Sequence, residues 1–364
     1  LPRRPGLAHQ RRRAPPVTSP ASAGRPLLRG VGGGDPVGRA DRLCRELGER
    51  VLGLVEPVGE AVGEVYVGWF AALDAVACPA RFRASGDEGW GFPGWTAQNS
   101  GPAIARAALH RHLDTDRPFG APPPLPEPLA LVRQWMATHR PVADTAVGGW
   151  GAERLDAGDA PTLAAAAASA TRWLTGFVRA LGWPLPHGLA LLGGAAGNRS
   201  APDRADAARP LVWRPAKGAP VKVASGADAR LGRQRGSGDF AMVVHRPIVG
   251  SDDRLADRAA FEATAAALAI RIVPARVLVT AGDTGEAVRL DVDDALLSRG
   301  ADLIAGMVEQ RVRATQVGWS PDDATPTAAC RHCHLVATCP PGTAWLQGPG
   351  RWRGGLPSLP AFSD

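Results

Sequence analysis

Lysine is scarce in this chain. Lys217 and Lys222 are the only two among 364 residues, so nearly all of the 42 basic side chains are arginine. With 44 glycines and 34 prolines, this composition points to a GC-rich coding sequence rather than to selection for arginine chemistry. The scarcity still has a chemical consequence: no site that needs a lysine can be built from the chain after residue 222. Long apolar runs are also missing. One of the two longest uncharged stretches, residues 180–198, is broken by Gly182, Pro184, Pro186, Gly188, Gly193 and Gly194. It therefore cannot supply the ~20 consecutive apolar residues of a membrane helix. No apolar segment follows the first arginines, so a secretory signal is not expected and a cytoplasmic location is. A reducing compartment disfavours disulfides. A chain of this length buries enough apolar surface to fold without them.

Net charge is scarce too, once it is located. The formal charge of +7 belongs to residues 1–40, which hold eight arginines and the single acid Asp35. The remainder is electrically balanced. The basic balance is thus no argument for nucleic-acid binding by the folded body. Residues 1–40 are rich in Pro, Arg, Gly and Ser without apolar periodicity, and are expected to be a disordered basic tail. This tail is read as a linker or upstream sequence, with a nucleic-acid arm as the alternative. It is expected to be removable without unfolding the rest. The folded body is expected over 41–345, with a flexible tail at 346–364.

Apolar periodicity begins with Leu43, Leu47, Val51, Leu54, Val55 and Val58 at helical spacing. A second apolar stretch covers Val65–Val76. Residues 102–114, 125–145 and 161–181 read as helices, with a proline-rich loop over 118–128. The character changes near Arg209. Leu211–Arg214, Val221–Ala224 and Ala241–His245 read as strands separated by glycine-rich turns. An amphipathic helix follows at 254–270, then strands at Ala275–Ala281 and Glu286–Val292, then a helix at 293–313. This order predicts an α/β sandwich with a mixed sheet, a helical N-terminal half and no internal repeat.

Five cysteines stand at 44, 78, 330, 333 and 339. Three fall within ten residues, Cys330-Arg-His-Cys333-His-Leu-Val-Ala-Thr-Cys339-Pro340. The two-residue gap of a C-x2-C pair lets both sulfurs turn toward one soft metal centre. Zinc would accept His332 or His334 as a further ligand, whereas an iron–sulfur cluster usually takes four cysteines. The bland alternative is a set of inert thiols.

The C-x2-C-x5-C-P ending resembles the iron–sulfur PD-(D/E)XK nucleases, which include RecB-like exonucleases, the AddB subunit of bacterial recombination nucleases and the CRISPR-associated adaptation nucleases. In that family the first cysteine lies far upstream in a C-P-x-x-F segment, matched here by Cys78-Pro79-Ala-Arg-Phe82. The resemblance implies a restriction-endonuclease-like core and a 4Fe–4S cluster on Cys78, Cys330, Cys333 and Cys339, leaving Cys44 spare. It also implies a nuclease pocket binding Mg2+ or Mn2+. His110 would be its metal-binding histidine, with His112 as competitor in Ala105-Arg-Ala-Ala-Leu109-His110-Arg-His112-Leu113. Asp228, in Gly226-Ala-Asp228, would be its first carboxylate.

The resemblance fails at the strand that should end in D/E-x-K. In Phe240-Ala-Met-Val-Val-His245-Arg246-Pro247, His245 stands at the acid position and Pro247 at the lysine position. Asp239 and Asp252 offer no other register, since neither is followed two residues later by lysine; Asp252 is followed at that distance by Arg254, a poor substitute for an activating lysine. The resemblance thus implies a nuclease-like protein that has lost hydrolysis and binds DNA, at single strands or ends, or scaffolds a repair complex with a helicase or recombination partner. Two alternatives stay open: an active metal-dependent exonuclease with a rewired site using His110, Asp228 and His245, and a zinc-stabilised interaction protein of unrelated fold. Asp228 and His245 are expected on adjacent strands facing one pocket, approached by His110. Trp90 and Trp95, among glycines, are candidates for stacking on single strands.

Overall fold

A computed structural model of the chain describes residues 35–69, 72, 75, 77–84, 101–109 without 103 and 107, 130–134, 158–181, 190–192, 211–232, 240–246, 252–281, 287–318, 320–326, 330, 333 and 335–348. The candidate positions Trp90, Trp95, His110, His112, Asp239, Pro247, His332 and His334 fall outside them.

The first helix, α1, runs Pro36–Val55. It starts five residues before the expected boundary at 41, so residues 36–40 are helical rather than part of a tail. Pro36 opens the helix, where a missing N–H is harmless. Asp35 caps it, its carboxylate accepting from the amides of Val37 and Gly38 at 3.0 Å each. Ala40 is fully buried. The carbonyl of Pro36 accepts from the amide of Val273 at 3.1 Å. Arg39 reaches Asp294 at 2.7 Å.

After α1 come β1 (Val65–Val67) and the short helix α2 (Pro79–Ala84). Helix α3 spans Ala160–Leu181. The strands β2 (Ala190–Leu192), β3 (Leu211–Trp213), β4 (Val221–Val223), β5 (Ala229–Gly232) and β6 (Phe240–Arg246) follow. Then come α4 (Asp252–Ile270), β7 (Arg276–Ala281), β8 (Ala287–Asp291), α5 (Asp294–Val317) and α6 (Pro340–Gln347). Helix α6 carries ordered structure two residues past the expected boundary at 345.

These strands make two mixed sheets, and the protein is of the α/β class. The small sheet has the order β1-β4-β3, with β1 parallel and β3 antiparallel to β4. The larger has the order β2-β5-β6-β7-β8. Its pairs are antiparallel except β6–β7, which is parallel, and α4 supplies the crossover that a parallel pair requires. Strand β6 is central: Phe240 through His245 are all buried, as expected of a strand covered on both faces. Its Ala241 and Val243 pack with Trp173, Leu174 and Phe177 of α3. On the other face, Met242 and Val244 pack with Ala259, Ala263 and Ala267 of α4.

Helix α4 is buried all round; every residue from Ala259 to Leu268 has no solvent exposure. One side lies on the large sheet. The other joins α1, α5 and the small sheet in a second core through Phe261, Ala265 and Leu268. Alanine lets the helices approach closely, and α5 meets this with Gly300. A methyl group on Gly300 would stand 2.2 Å from the carbonyl oxygen of Ala260, so no larger residue fits.

The early start of α1 yields a test. A chain beginning at Asp41 loses the Asp35 cap, the Arg39–Asp294 pair and the partner of the buried Val273 amide. Relative to a chain beginning at Asp35, it is expected to be about 3 kcal/mol less stable by urea unfolding, from the usual worth of a cap and of a stranded buried amide.

Candidate functional site

Cys78, Cys330, Cys333 and Cys339 all line one recess. Residues 78–81 and the C-terminal segment 324–342 meet there. Cys78 directly precedes α2, whose first residue is Pro79, and Cys339 is the N-cap of α6, whose first residue is Pro340. In both Cys-Pro pairs the proline starts a helix and leaves the cysteine at its mouth. Cys330 and Cys333 are joined by a turn in which the Cys333 amide donates to the Cys330 carbonyl at 3.2 Å.

Two side chains of α2 hold Cys78 against the C-terminal segment. Phe82 is buried in the core shared with α1 and α5. Arg83, with its side chain only 4% exposed, pairs with Asp323 at 3.0 Å and donates to the carbonyl of Gly318 at 3.4 Å. Arg83 thus ties α2 to the exit of α5, where the chain sets out toward Cys330. Cys44 lies elsewhere, in α1, within the same core as Leu47 and Val51. None of the five cysteines forms a disulfide.

By donor chemistry alone, four thiols around one recess are the set that a tetrathiolate centre uses. Gly342 borders the recess, and a methyl group there would lie 3.3 Å from Sγ of Cys339 and 3.7 Å from Sγ of Cys330, crowding the space beside the sulfurs. Burial pushes the Cys333 thiol above its ordinary range. Cys330 and Cys78 add to the rise, while the Leu335 amide and the cation of Arg81 oppose it. Among the described residues, no group of three or more His, Cys, Asp or Glu side chains is arranged to hold a metal ion. The four thiols surround a shared space rather than closing on a single point.

A second polar cluster surrounds Asp228, which is fully buried at the start of β5. Its amide donates to the carbonyl of Val243 at 2.8 Å, so the residue is already paired to β6. One carboxylate oxygen accepts from the backbone amide of His245 at 2.6 Å. The other is taken by the guanidinium of Arg106, whose pKa is raised chiefly by that carboxylate. Arg106 itself is 34% exposed in its side chain, so the pair sits at the margin of the core.

His245 stands on the strand next to Asp228, and the hydrogen bond between them is not side chain to side chain. What joins them is the main-chain amide of His245. The imidazole is fully buried on the α3 side, edge-on to Trp173 with ring centroids 4.6 Å apart and to Phe177 at 5.6 Å. Its Nδ1 lies 2.6 Å from Oγ1 of Thr280 on β7.

Beside Asp228, the turn Ser225-Gly226-Ala227 is held by Glu262 of α4. Its Oε2 accepts from the Ser225 hydroxyl at 2.6 Å and from the Gly226 amide at 2.7 Å. Its Oε1 pairs with Arg258 at 2.7 Å, one turn earlier on the helix. Arg258 also donates to the Gly226 carbonyl at 3.0 Å and lies over the ring of Trp69, 5.0 Å from its centroid. Burial lowers its pKa, while Glu262 and Asp228 oppose the fall. Two carboxylates and two guanidiniums thus form two neighbouring ion pairs, with Arg106 alone partly exposed.

Neither a scan of family models nor a search of curated proteins finds a match to this chain.

Arg83, Arg106, Arg258 and Glu262 carry these contacts and were not legible as site residues. Arg106 had a signal, since it lies one helical turn before His110 on the segment expected to approach Asp228. Glu262 had one too, as a lone acid in the otherwise uncharged run Phe261–Leu268.

Two measurements follow. Substituting Arg106→Leu strands a buried carboxylate, and is expected to lower stability by about 3–5 kcal/mol. Asp228→Asn keeps an acceptor for the His245 amide and frees Arg106 to turn toward water, so its expected cost is smaller, roughly 2 kcal/mol. The reverse order in urea unfolding would contradict this geometry. The second concerns the metal-free protein. A raised Cys333 pKa means the folded state holds its proton where the unfolded chain has lost it. Stability is then full below the ordinary thiol range and falls as pH rises through the folded value. Cys333→Ser should flatten this alkaline limb of a melting-temperature profile.

Proposed function

We propose that this chain is an iron–sulfur PD-(D/E)XK nuclease-like protein of the RecB-like type, with a restriction-endonuclease-like core whose hydrolytic site is lost, and that it binds DNA or scaffolds a repair or recombination complex. The observation that carries this reading is the recess shared by Cys78 and the three C-terminal cysteines. Cys78 is separated from the other three by most of the chain, and all four line the same space. The mixed five-stranded sheet with α3 on one face and α4 on the other supports the same family reading.

In this reading Cys78, Cys330, Cys333 and Cys339 hold a 4Fe–4S cluster. When bound, the cluster supplies a four-point crosslink and an iron–sulfur redox group. The chain's own residues prepare for it. Arg83 and Phe82 fix α2, the two prolines set cysteines at helix starts, and Gly342 keeps the space beside the sulfurs clear. A crosslink between distant parts of a chain restricts the unfolded state most when the closed loop is long.

The loss of hydrolysis is supported by what surrounds Asp228. A divalent ion prefers several oxygen ligands and retained waters. Here the carboxylate is committed to Arg106 and to the His245 amide, at a position without solvent exposure. The guanidinium supplies the countercharge that a metal would. His245, at the position of the second acid, is directed into the rings of α3. No lysine follows Lys222 to orient an attacking water. DNA binding rests on the family likeness alone.

Anaerobic purification with iron and sulfide analysis tests the centre, with about four of each per chain expected. Zinc in their place would overturn the cluster. The loaded protein is expected to bind DNA in gel-shift assays and to leave it uncut in Mg2+ or Mn2+. Loss of one transition-state stabiliser removes about 10²–10³ in rate, and here the second acid and the lysine are both gone. Cleavage that disappears in Asp228→Ala would establish the rewired nuclease instead.

A further inference from the structure

Of the described side chains lining the cysteine recess, Arg81 is the one that carries a permanent charge. The rest of the lining is small, apolar or hydroxylic, including Ala80, Ala324, Thr325, Pro326 and Val336. Arg81 sits in the first turn of α2, three residues after Cys78, and is partly buried. Four thiolates around a metal centre bear a net negative charge, and that charge grows on reduction. In a recess with apolar walls a nearby cation acts far more strongly than in water. Arginine stays protonated under all working conditions and cannot relieve the charge by losing a proton.

Resting on the cluster reading above, we infer that Arg81 is a positioning residue for the centre, one that supplies its countercharge and sets its reduction potential. A cation beside the cluster stabilises the reduced form more than the oxidised form, because the reduced form carries more negative charge. Removing it therefore lowers the potential.

The test compares the full-length wild type, Arg81→Gln and Arg81→Lys, each loaded anaerobically, by reductive titration with dithionite followed by paramagnetic resonance. At the wild-type midpoint, Arg81→Gln is expected to show a ratio of reduced to oxidised cluster about tenfold lower, which is about 59 mV for a one-electron couple. Arg81→Lys should return to within about twofold of the wild type. If Arg81→Gln cannot be loaded while Arg81→Lys loads normally, the need for charge is upheld in a stronger form. Equal potentials in all three loaded proteins would overturn the inference and leave the cluster reading standing. So would failure of Arg81→Lys alongside Arg81→Gln, since the guanidinium would then be a structural contact. A wild type that takes up no iron would remove the cluster reading itself.

Discussion

The burial of the middle of α4, Ala259 to Leu268, is the constraint on which the rest of the structure depends. A helix with no solvent-exposed face between Ala259 and Leu268 must satisfy every polar group it carries from within the protein. It carries Arg258, Glu262 and Thr264, and each answers the requirement in a different direction. Thr264 donates to the Leu297 carbonyl at 3.1 Å, fixing the start of α5. Glu262 takes the Ser225 hydroxyl and the Gly226 amide, fixing the turn that leads into β5. Arg258 closes on Glu262 and lies over Trp69, just ahead of the segment that ends at Cys78. One buried helix thus sets the position of both sheets and of the approach to the cysteine recess.

The same constraint explains why Asp228 is where it is. The turn held by Glu262 delivers Asp228 to the edge of β6, where its carboxylate caps the His245 amide. That amide lies near the end of the strand, past the last pair of the β5–β6 ladder. A carboxylate so placed needs a cation, and Arg106 provides it from the other side of the sheet, with its guanidinium 5.8 Å from the centroid of Trp173. Trp173 in turn packs edge-on against the His245 ring. Each residue of this group is fixed by two others. A network of this kind is costly to break at one member and resists gradual change.

Much of this was legible in the sequence, and the divide between what was and was not is physical. Strands β6 and β7 and helices α4 and α5 are long, and burial gives them sustained apolar runs. The grouping of Cys78 with the three C-terminal cysteines was legible only through the resemblance of Cys78-Pro79-Ala-Arg-Phe82 and of the C-x2-C-x5-C-P ending to the iron–sulfur nucleases. Strands β1, β2 and β5 have three or four residues each, too few to show a period. The segment Ala229-Arg-Leu-Gly has almost no intrinsic strand preference and is a strand because β2 and β6 pair with it on both sides. Residues 36–40 read as tail because Pro, Gly and Arg dominate them. Their order comes from a cap, a distant carbonyl contact and an ion pair, none of which has a local pattern.

Arginine pairs were the least legible feature, and the reason bears on the proposed loss of hydrolysis. In a chain where nearly all cations are arginine, no single arginine stands out by composition. Yet a guanidinium differs from a bound metal ion in what it leaves available. It is planar, donates along fixed directions, and keeps no exchangeable water to be turned into a nucleophile. A metal at Asp228 would neutralise the carboxylate and activate water together. Arg106 can do only the first. The substitution therefore preserves the folding role of a cation at this point while removing the chemical one. Under the proposed reading, this is how a nuclease-like sheet keeps its architecture after its chemistry is gone: the buried carboxylate still has to be neutralised for the β5–β6 pair to form, whether or not anything is to be cut.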